Sequence, residues 1–452
     1  MTVDDDDLAS LPAAAESVPS TPAAASVTLE HPRTDVADAP DDLPPVGPRY
    51  VWLQVLAQFG VFVAFITPLG ISLAIRVEQL APGRDEYLGY ITGVGAFAAL
   101  VVGPVLGQLS DRTRTRIGRR RPFMIAGMVL GMGALTVMAT APTVLVLGLG
   151  WVLSQLTWGQ VLGNLVFSQA DRLPEQQRGK VAGLTGFATQ VAPVIGVGLA
   201  SVVASDNLLL FLLPGGIGLV LSAAFVVFVH EPDSRGLTFD EPLTILGVFR
   251  NMAFDPRRYP DFAWNWLARF LFYFGLTLNT TFTAFFFAQR LGVPVAEVAP
   301  TLVVLSLLGI GAVTAGAIGG GFLSDRLHRR RAFVLAAGVL FGVGAVVMAL
   351  APSVPVLFAG SLTTSLGLGL FSAVDQALAL DVLPDRRNAG RFLAIMGYAT
   401  SLPQSIAPLV APAVLTIGVG AAGGKNYALL YGVAAVFTLL SGLSVLRIRS
   451  VR

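Results

Sequence analysis

Two charged side chains fall inside apolar runs of the sequence: Arg269, between Ala268 and Phe270, and Asp375, between Val374 and Gln376. A guanidinium or carboxylate in such a setting is costly unless it is paired or wet, so each marks a candidate site. Both lie towards the same end of their runs, and by depth Asp375 is the partner within reach of Arg269. If they pair, a proton or solute competing for Asp375 would couple binding to movement. The competing reading for Arg269 is snorkelling, because it stands only one or two turns from the start of its run. Uncharged polar and aromatic groups accompany the pair: Gln58; Gln155, Trp158, Gln160 and Asn164; Tyr273, Asn279 and Thr280; and Gln376. Amides bond hydroxyls and ring faces stack on sugar C–H surfaces, so the set suits a polyhydroxylated ligand. For any single amide the competing role is a hydrogen bond between helices.

Other chemistry is excluded by what the chain lacks. It has no cysteine, and its three histidines, His31, His230 and His328, are far apart, so no metal cluster can be drawn. There is no nucleotide loop and no nucleophile constellation, which leaves no enzyme reading. Neither a cofactor nor a nucleic-acid partner is expected; a proton or other cation gradient is the driving force to consider.

The elements that must position these residues are membrane spans. The chain is 54% hydrophobic and only 13% charged, with a mean hydropathy of +0.71. A soluble domain averages about 25% charged residues. Twelve runs approach the roughly 20 apolar residues of a bilayer crossing. They fall near 51–75, 87–108, 122–140, 143–167, 181–204 and 207–229, then 262–287, 299–323, 332–350, 354–377, 391–416 and 426–446. Residues 1–48, with the acidic run Asp4–Asp7 and much Pro, Ala and Ser, read as a disordered cytoplasmic tail. It lacks the basic start and apolar core of a signal peptide. Residues 49–229 form a first six-helix bundle, 230–261 a polar cytoplasmic linker, and 262–452 a second bundle. With the N-terminus inside, only Arg76, Arg84, Arg290 and Lys425 remain on the outer side and Arg269 within a span; every other Lys and Arg is cytoplasmic. That bias fixes both termini inside, in a plasma (inner) membrane.

Between the second and third runs lies Gly107-Gln-Leu-Ser-Asp-Arg112, continuing through Gly118 to the triplet Arg119, Arg120 and Arg121. A shorter copy, Gly320 to Arg331, contains Asp325 and Arg326. Asp111, at a helix end, can accept bonds from helix N-terminal amides and pair with neighbouring arginines. Gly107 would admit close helix approach, and Gly118 a turn. The loop is therefore a candidate gate latch; the alternative is that its arginines only set topology and meet anionic headgroups. Asp171, Glu175 and Arg178, and Asp381, Asp385 and Arg387, border the facing loops and would extend the network across the inner mouth. The copies are part of a wider repeat. Leu56-Ala-Gln-Phe59, Asp171-Arg-Leu-Pro174 and Gly186-Phe-Ala-Thr189 recur about 210 residues later as Leu267-Ala-Arg-Phe270, Asp381-Val-Leu-Pro384 and Gly397-Tyr-Ala-Thr400.

A parallel repeat of two six-helix halves resembles the major facilitator transporters. The loop from Ser110 to Phe123 is similar to that of the sucrose/proton symporters, which border the glycoside–cation symporters. Gln58-Phe-Gly60, Thr67-Pro68 and Gln169-Ala-Asp171 are similar to that family as well. The resemblance implies that the first, fourth, seventh and tenth spans line a central cavity, and that the chain carries a sugar or glycoside by alternating access. The family's proton-accepting aspartate in the fourth span is replaced here by Ser154-Gln155, and Val77 and Glu78 stand where it places a histidine. Coupling has then moved to Asp375, or the protein is a uniporter or an exporter. Export of a drug-like or secondary-metabolite molecule is the alternative reading, to which the phenylalanine-rich seventh span (Phe270, Phe272, Phe274, Phe282, Phe285, Phe286 and Phe287) would be suited. A non-transporting sensor is a third, and would need an ordered partner domain. A twelve-span bundle can work as a monomer, with the bilayer and a small solute as its partners.

Overall fold

The computed structural model describes residues 44–237, 254–385, 389–418 and 424–451. Most of the expected tail, the middle of the linker, and Arg33, Arg250, Arg386, Arg387 and Arg452 lie outside these residues. The described chain is helical. The first half contains α1 (Pro48–Leu80), α2 (Glu86–Asp111), α3 (Arg121–Thr140), α4 (Val144–Arg172), α5 (Glu175–Val202) and α6 (Asn207–Phe228). The second contains α7 (Pro260–Thr281), α8 (Thr283–Leu291), α9 (Ala299–Leu327), α10 (Arg330–Leu350), α11 (Val354–Asp381), α12 (Ala389–Thr416) and α13 (Tyr427–Val445).

Local chemistry sets the helix ends. Proline occupies the first turn of α1, α3, α7, α9 and α11, where its missing N–H costs nothing. The Asp206 carboxylate caps α6 by accepting from the N–H groups of Leu208 and Leu209, and Asn426 caps α13 through Leu429. Inside α1, Pro68 cannot donate to the helix ladder, and the chain widens into a π turn over Pro68–Ser72. The matching element of the second half is broken too: α7 and α8 meet at a bend of 47° around Phe282.

Among the described residues, ten helices are long and apolar enough to cross a membrane, and the bent pair α7–α8 makes an eleventh. The twelfth expected span corresponds to α12. It has sufficient length at 28 residues, but Pro403, Pro408 and Pro412 together with Gln404 and several hydroxyls reduce its apolarity. It packs against α2 of the other half as well as α7.

The two halves repeat one packing scheme. In the first, α1 packs on α5 and α6, α4 on α2 and α3, and α3 on α6; in the second, α7 packs on α12 and α13, α11 on α9 and α10, and α10 on α13. Across the interface α2 meets α12 and α5 meets α9. These crossings are tight at the face remote from the arginine-rich loops. A Cβ on Gly89 would stand 2.4 Å from the Pro408 carbonyl oxygen, and one on Gly93 would stand 2.6 Å from the Leu409 side chain. Towards the arginine face, Gly103, Gly186 and Gly397 have open space beside them.

Candidate functional site

Arg269 and Asp375 form a buried ion pair. Both Nε and Nη2 of Arg269 stand 2.6 Å from Oδ2 of Asp375, and the side chains are 11% and 4% exposed. Pairing, not snorkelling, is therefore how Arg269 is accommodated. The other carboxylate oxygen of Asp375, Oδ1, is buried without a hydrogen-bond partner. Tyr273, one turn from Arg269 on the same helix face, lies within electrostatic reach of both charges with the Ser372 hydroxyl beside its phenol. Gln376, next to Asp375, is exposed, and so is Ser372 one turn before it.

The remaining candidates separate into two groups. Gln58 and Gln155 are half-buried; the Gln58 Oε1 accepts from Gln169 Nε2 at 3.1 Å. Asn279 is buried with its Nδ2 unpartnered, and Thr280 is exposed. Trp158 and Asn164 depart from expectation. Trp158 is wholly buried, its ring wedged against Gly131 and Gly218 within the first half. Asn164 accepts from Ser110 Oγ at 2.7 Å and donates to the Gln160 carbonyl at 2.8 Å, so it bridges α2 and α4. Neither is placed to touch a solute in this conformation.

At the arginine face each half builds a knot around one arginine. In the first, Arg120 approaches Asp111 at 3.2 Å and Asp171 at 2.8 Å, while Arg119 adds a second contact to Asp171 at 2.9 Å. In the second, Arg330 contacts Asp325 at 3.2 Å and Asp381 at 2.5 Å. The expected Asp325–Arg326 unit is thus corrected: Arg330 takes the place of Arg120, and Arg326 is exposed. These pairs join loops within a half, not across the mouth. Arg178 donates to the Leu173 carbonyl and finishes α4. Arg112 closes α2 by donating its backbone N–H to the Gln108 carbonyl.

Two further corrections concern the turn. The α3 N-terminus is capped by Glu231, not Asp111: its carboxylate accepts from the backbone N–H groups of Arg120 and Arg121 at 3.0 Å. Gly118 has φ +96°, and a Cβ there would meet the Glu231 carboxylate at 2.3–2.5 Å, so only glycine fits. Gly107, by contrast, makes no close approach; its nearest neighbour, the Phe167 ring, lies at ordinary contact distance. The end of the expected disordered tail and the start of the linker are tied down. Val46 exchanges two hydrogen bonds with the Gln177 amide, and Ser234 bonds Thr113 and Thr115. A cavity of about 310 Å³ opens beside the first knot, between the first half and the start of the linker, but Arg119, Arg120, Arg121 and Arg172 along it all have partners.

Sequence reasoning missed Glu231, Arg330 and a pair of helix braces. Arg76 donates to the Ala141 carbonyl at 2.7 Å, and Arg290 donates to the carbonyls of Ala349 and Ala351. The same repeat that related the knots relates these residues, and it was the signal available. The aromatic side chains of the seventh span are used in packing. Phe272 stacks on Phe371 with centroids 3.6 Å apart, Phe274 on Phe437 at 4.4 Å, and Phe286 lies against Tyr431 at 4.3 Å.

The family model of the Major Facilitator Superfamily matches residues 50–320 and 304–452. The chain belongs to the major facilitator superfamily. It is a membrane transporter, and no catalytic activity is indicated. The facilitator fold is shared with the nucleoside transporter NupG (TM-score 0.70, 11% identity, 88% of this chain and 98% of that one). It is shared too with a bacterial homolog of the human lysosomal transporter Spinster in an inward-facing, unoccupied conformation (TM-score 0.67, 17% identity, 89% and 99%). A shorter stretch is similar to the general alpha-glucoside permease of Schizosaccharomyces pombe, 35% identical over 92 residues. That match covers 20% of this facilitator and 15% of the permease.

Proposed function

We propose that this facilitator carries a small hydrophilic solute, a sugar or glycoside, by alternating access, with Asp375 as the coupling group. The observation that carries the reading is the buried Arg269–Asp375 pair with one carboxylate oxygen free. A buried charge pair is weak as a stabilising device, because desolvation consumes most of the Coulomb gain. Its retention in a mobile bundle fits a switch. A proton arriving at Asp375 removes the charge that holds Arg269, and α7 and α11 are then free to shift. Amide and phenol groups of Gln58, Tyr273, Asn279 and Gln376 supply the hydrogen bonds a polyol needs, and the local similarity to a glucoside permease supports that class. The arginine face is cytoplasmic in this reading, both termini are inside, and the membrane is the plasma membrane.

Uptake of radiolabelled sucrose and maltose into proteoliposomes, with and without an inward proton gradient, tests the proposal. Gradient-driven accumulation that disappears in Asp375→Asn is the expected result. Saturable uptake indifferent to the gradient would leave a facilitator with no coupling role for Asp375. Absence of sugar uptake under both conditions would turn the search towards export.

A further inference from the structure

Two adjacent polar links cross from one half to the other at the face opposite the knots. Lys425 Nζ, in the segment before α13, stands 2.6 Å from Glu86 Oε2 at the start of α2. Next to it the Tyr427 hydroxyl donates to the Asp85 carboxylate. Arg84 holds the other oxygen of Glu86 at 2.5 Å. The Glu86 and Lys425 side chains are 14% and 16% exposed, so solvent screens them much less than an ordinary surface pair. One turn along α2, Gly89 and then Gly93 carry the tight crossing with α12. Charge, phenol and close helix contact thus concentrate at one end of the interface.

We infer that Asp85, Glu86, Lys425 and Tyr427 form the latch that holds this face shut, and that their separation is required for it to open. The inference rests on the alternating-access reading, but not on sugar or proton as cargo. Its chemistry differs from that of the knots. A knot stays within one half and can move with it as a rigid piece, whereas the latch has one carboxylate pair on the first half and its cation and phenol on the second. Any rotation that parts α2 from α12 must break both links together. The energy of the latch therefore weighs on the equilibrium between the two access states.

The chain has no cysteine, so a single introduced thiol reports without background. Thr92 is 4% exposed and sits on α2 between the latch and the crossing at Gly93. Thr92→Cys in proteoliposomes would be labelled with an impermeant maleimide applied from the latch side, alone and combined with Lys425→Ala, Tyr427→Phe or both. Labelling about tenfold faster in Lys425→Ala, and faster still in the double variant, is the expected result. The charge swap Glu86→Lys with Lys425→Glu, made together with Arg84→Gln so that the introduced ammonium faces no guanidinium, should return the rate to within about twofold of the Arg84→Gln parent, which guards against a fold simply loosened by substitution. Unchanged labelling in the Lys425 and Tyr427 variants, or a swap that stays fast, would overturn the latch. Labelling reads opening directly, so it stands apart from any failure of sugar uptake.

Discussion

The two halves share one scaffold but differ at one depth. In the second half Arg269 and Asp375 make a buried ion pair. In the first, the repeat places Gln58 opposite Arg269 and Leu165 opposite Asp375. Gln58 there bonds Gln169, and the Leu165 carbonyl accepts from Gln54. Other features are matched, among them the knots on Arg120 and Arg330 and the braces from Arg76 and Arg290. Duplication supplies two matched frames, while the buried charge pair sits in one of them, and in the proposed function that pair is what a gradient would act on.

The largest effect should come from breaking that asymmetry in two ways. Arg269→Gln leaves Asp375 charged, buried and alone, a situation that costs about 3–5 kcal/mol. Thermal unfolding in detergent should shift down strongly, and uptake should fall to background. Arg269→Gln combined with Asp375→Leu copies the first half into the second. The double variant should recover most of the lost stability, because no orphan charge remains, yet lose any dependence on the gradient. A double variant that still accumulates solute against its gradient would remove the pair from the mechanism.

A smaller effect separates the knots. Arg120 and Arg330 each bridge two carboxylates, but their side chains are 6% and 26% exposed. Arg120 also covers the Phe167 ring, with its guanidinium carbon 4.9 Å from the centroid. Arg120→Gln should therefore cost about 2 kcal/mol and Arg330→Gln about 1 or less, measured as separate shifts of the unfolding midpoint. Equal shifts would mean that solvent exposure does not set the difference between the halves.

How much of this was legible in the sequence depends on what each feature requires. Span lengths and the six-plus-six repeat follow from apolar runs. The cost of a lone buried charge singles out Arg269 and Asp375, though pairing and snorkelling of Arg269 are both open until the structure places the two together. Rotation of a helix about its own axis does not follow from apolar runs. In α4 apolar residues lie on every side, so nothing in the pattern told that Trp158 and Asn164 face the neighbouring helices while Gln155 is half-buried. Glu231 read as linker charge because its partners at Arg120 and Arg121 are more than a hundred positions away. The latch was less legible still, since Glu86 and Lys425 are 339 residues apart and each alone is an ordinary loop charge.

The smallest expected effect opposes the two faces of the molecule through pH. Burial raises the pKa of the Asp85 carboxyl above the ordinary carboxylate range, against the opposing pull of the Tyr427 hydrogen bond and the Lys425 ammonium. Glu86 and Arg84 flank it, and Glu78 lies within reach of Tyr427. When the latch parts, Asp85 returns to water and to the ordinary pKa. The closed state therefore binds the proton more tightly. Its extra stability is fully present below the open-state pKa and is lost as pH rises through the closed-state value. Maleimide reacts with the thiolate, so labelling slows on acidification in every variant. Through that window Thr92→Cys should slow about two- to threefold more than Thr92→Cys combined with Asp85→Asn, which leaves the Glu86–Lys425 link in place and isolates this carboxyl from its neighbours. An extra change of the opposite sign relative to Asp85→Asn would show that the charged form of Asp85, held by Tyr427, is the one that keeps the face closed.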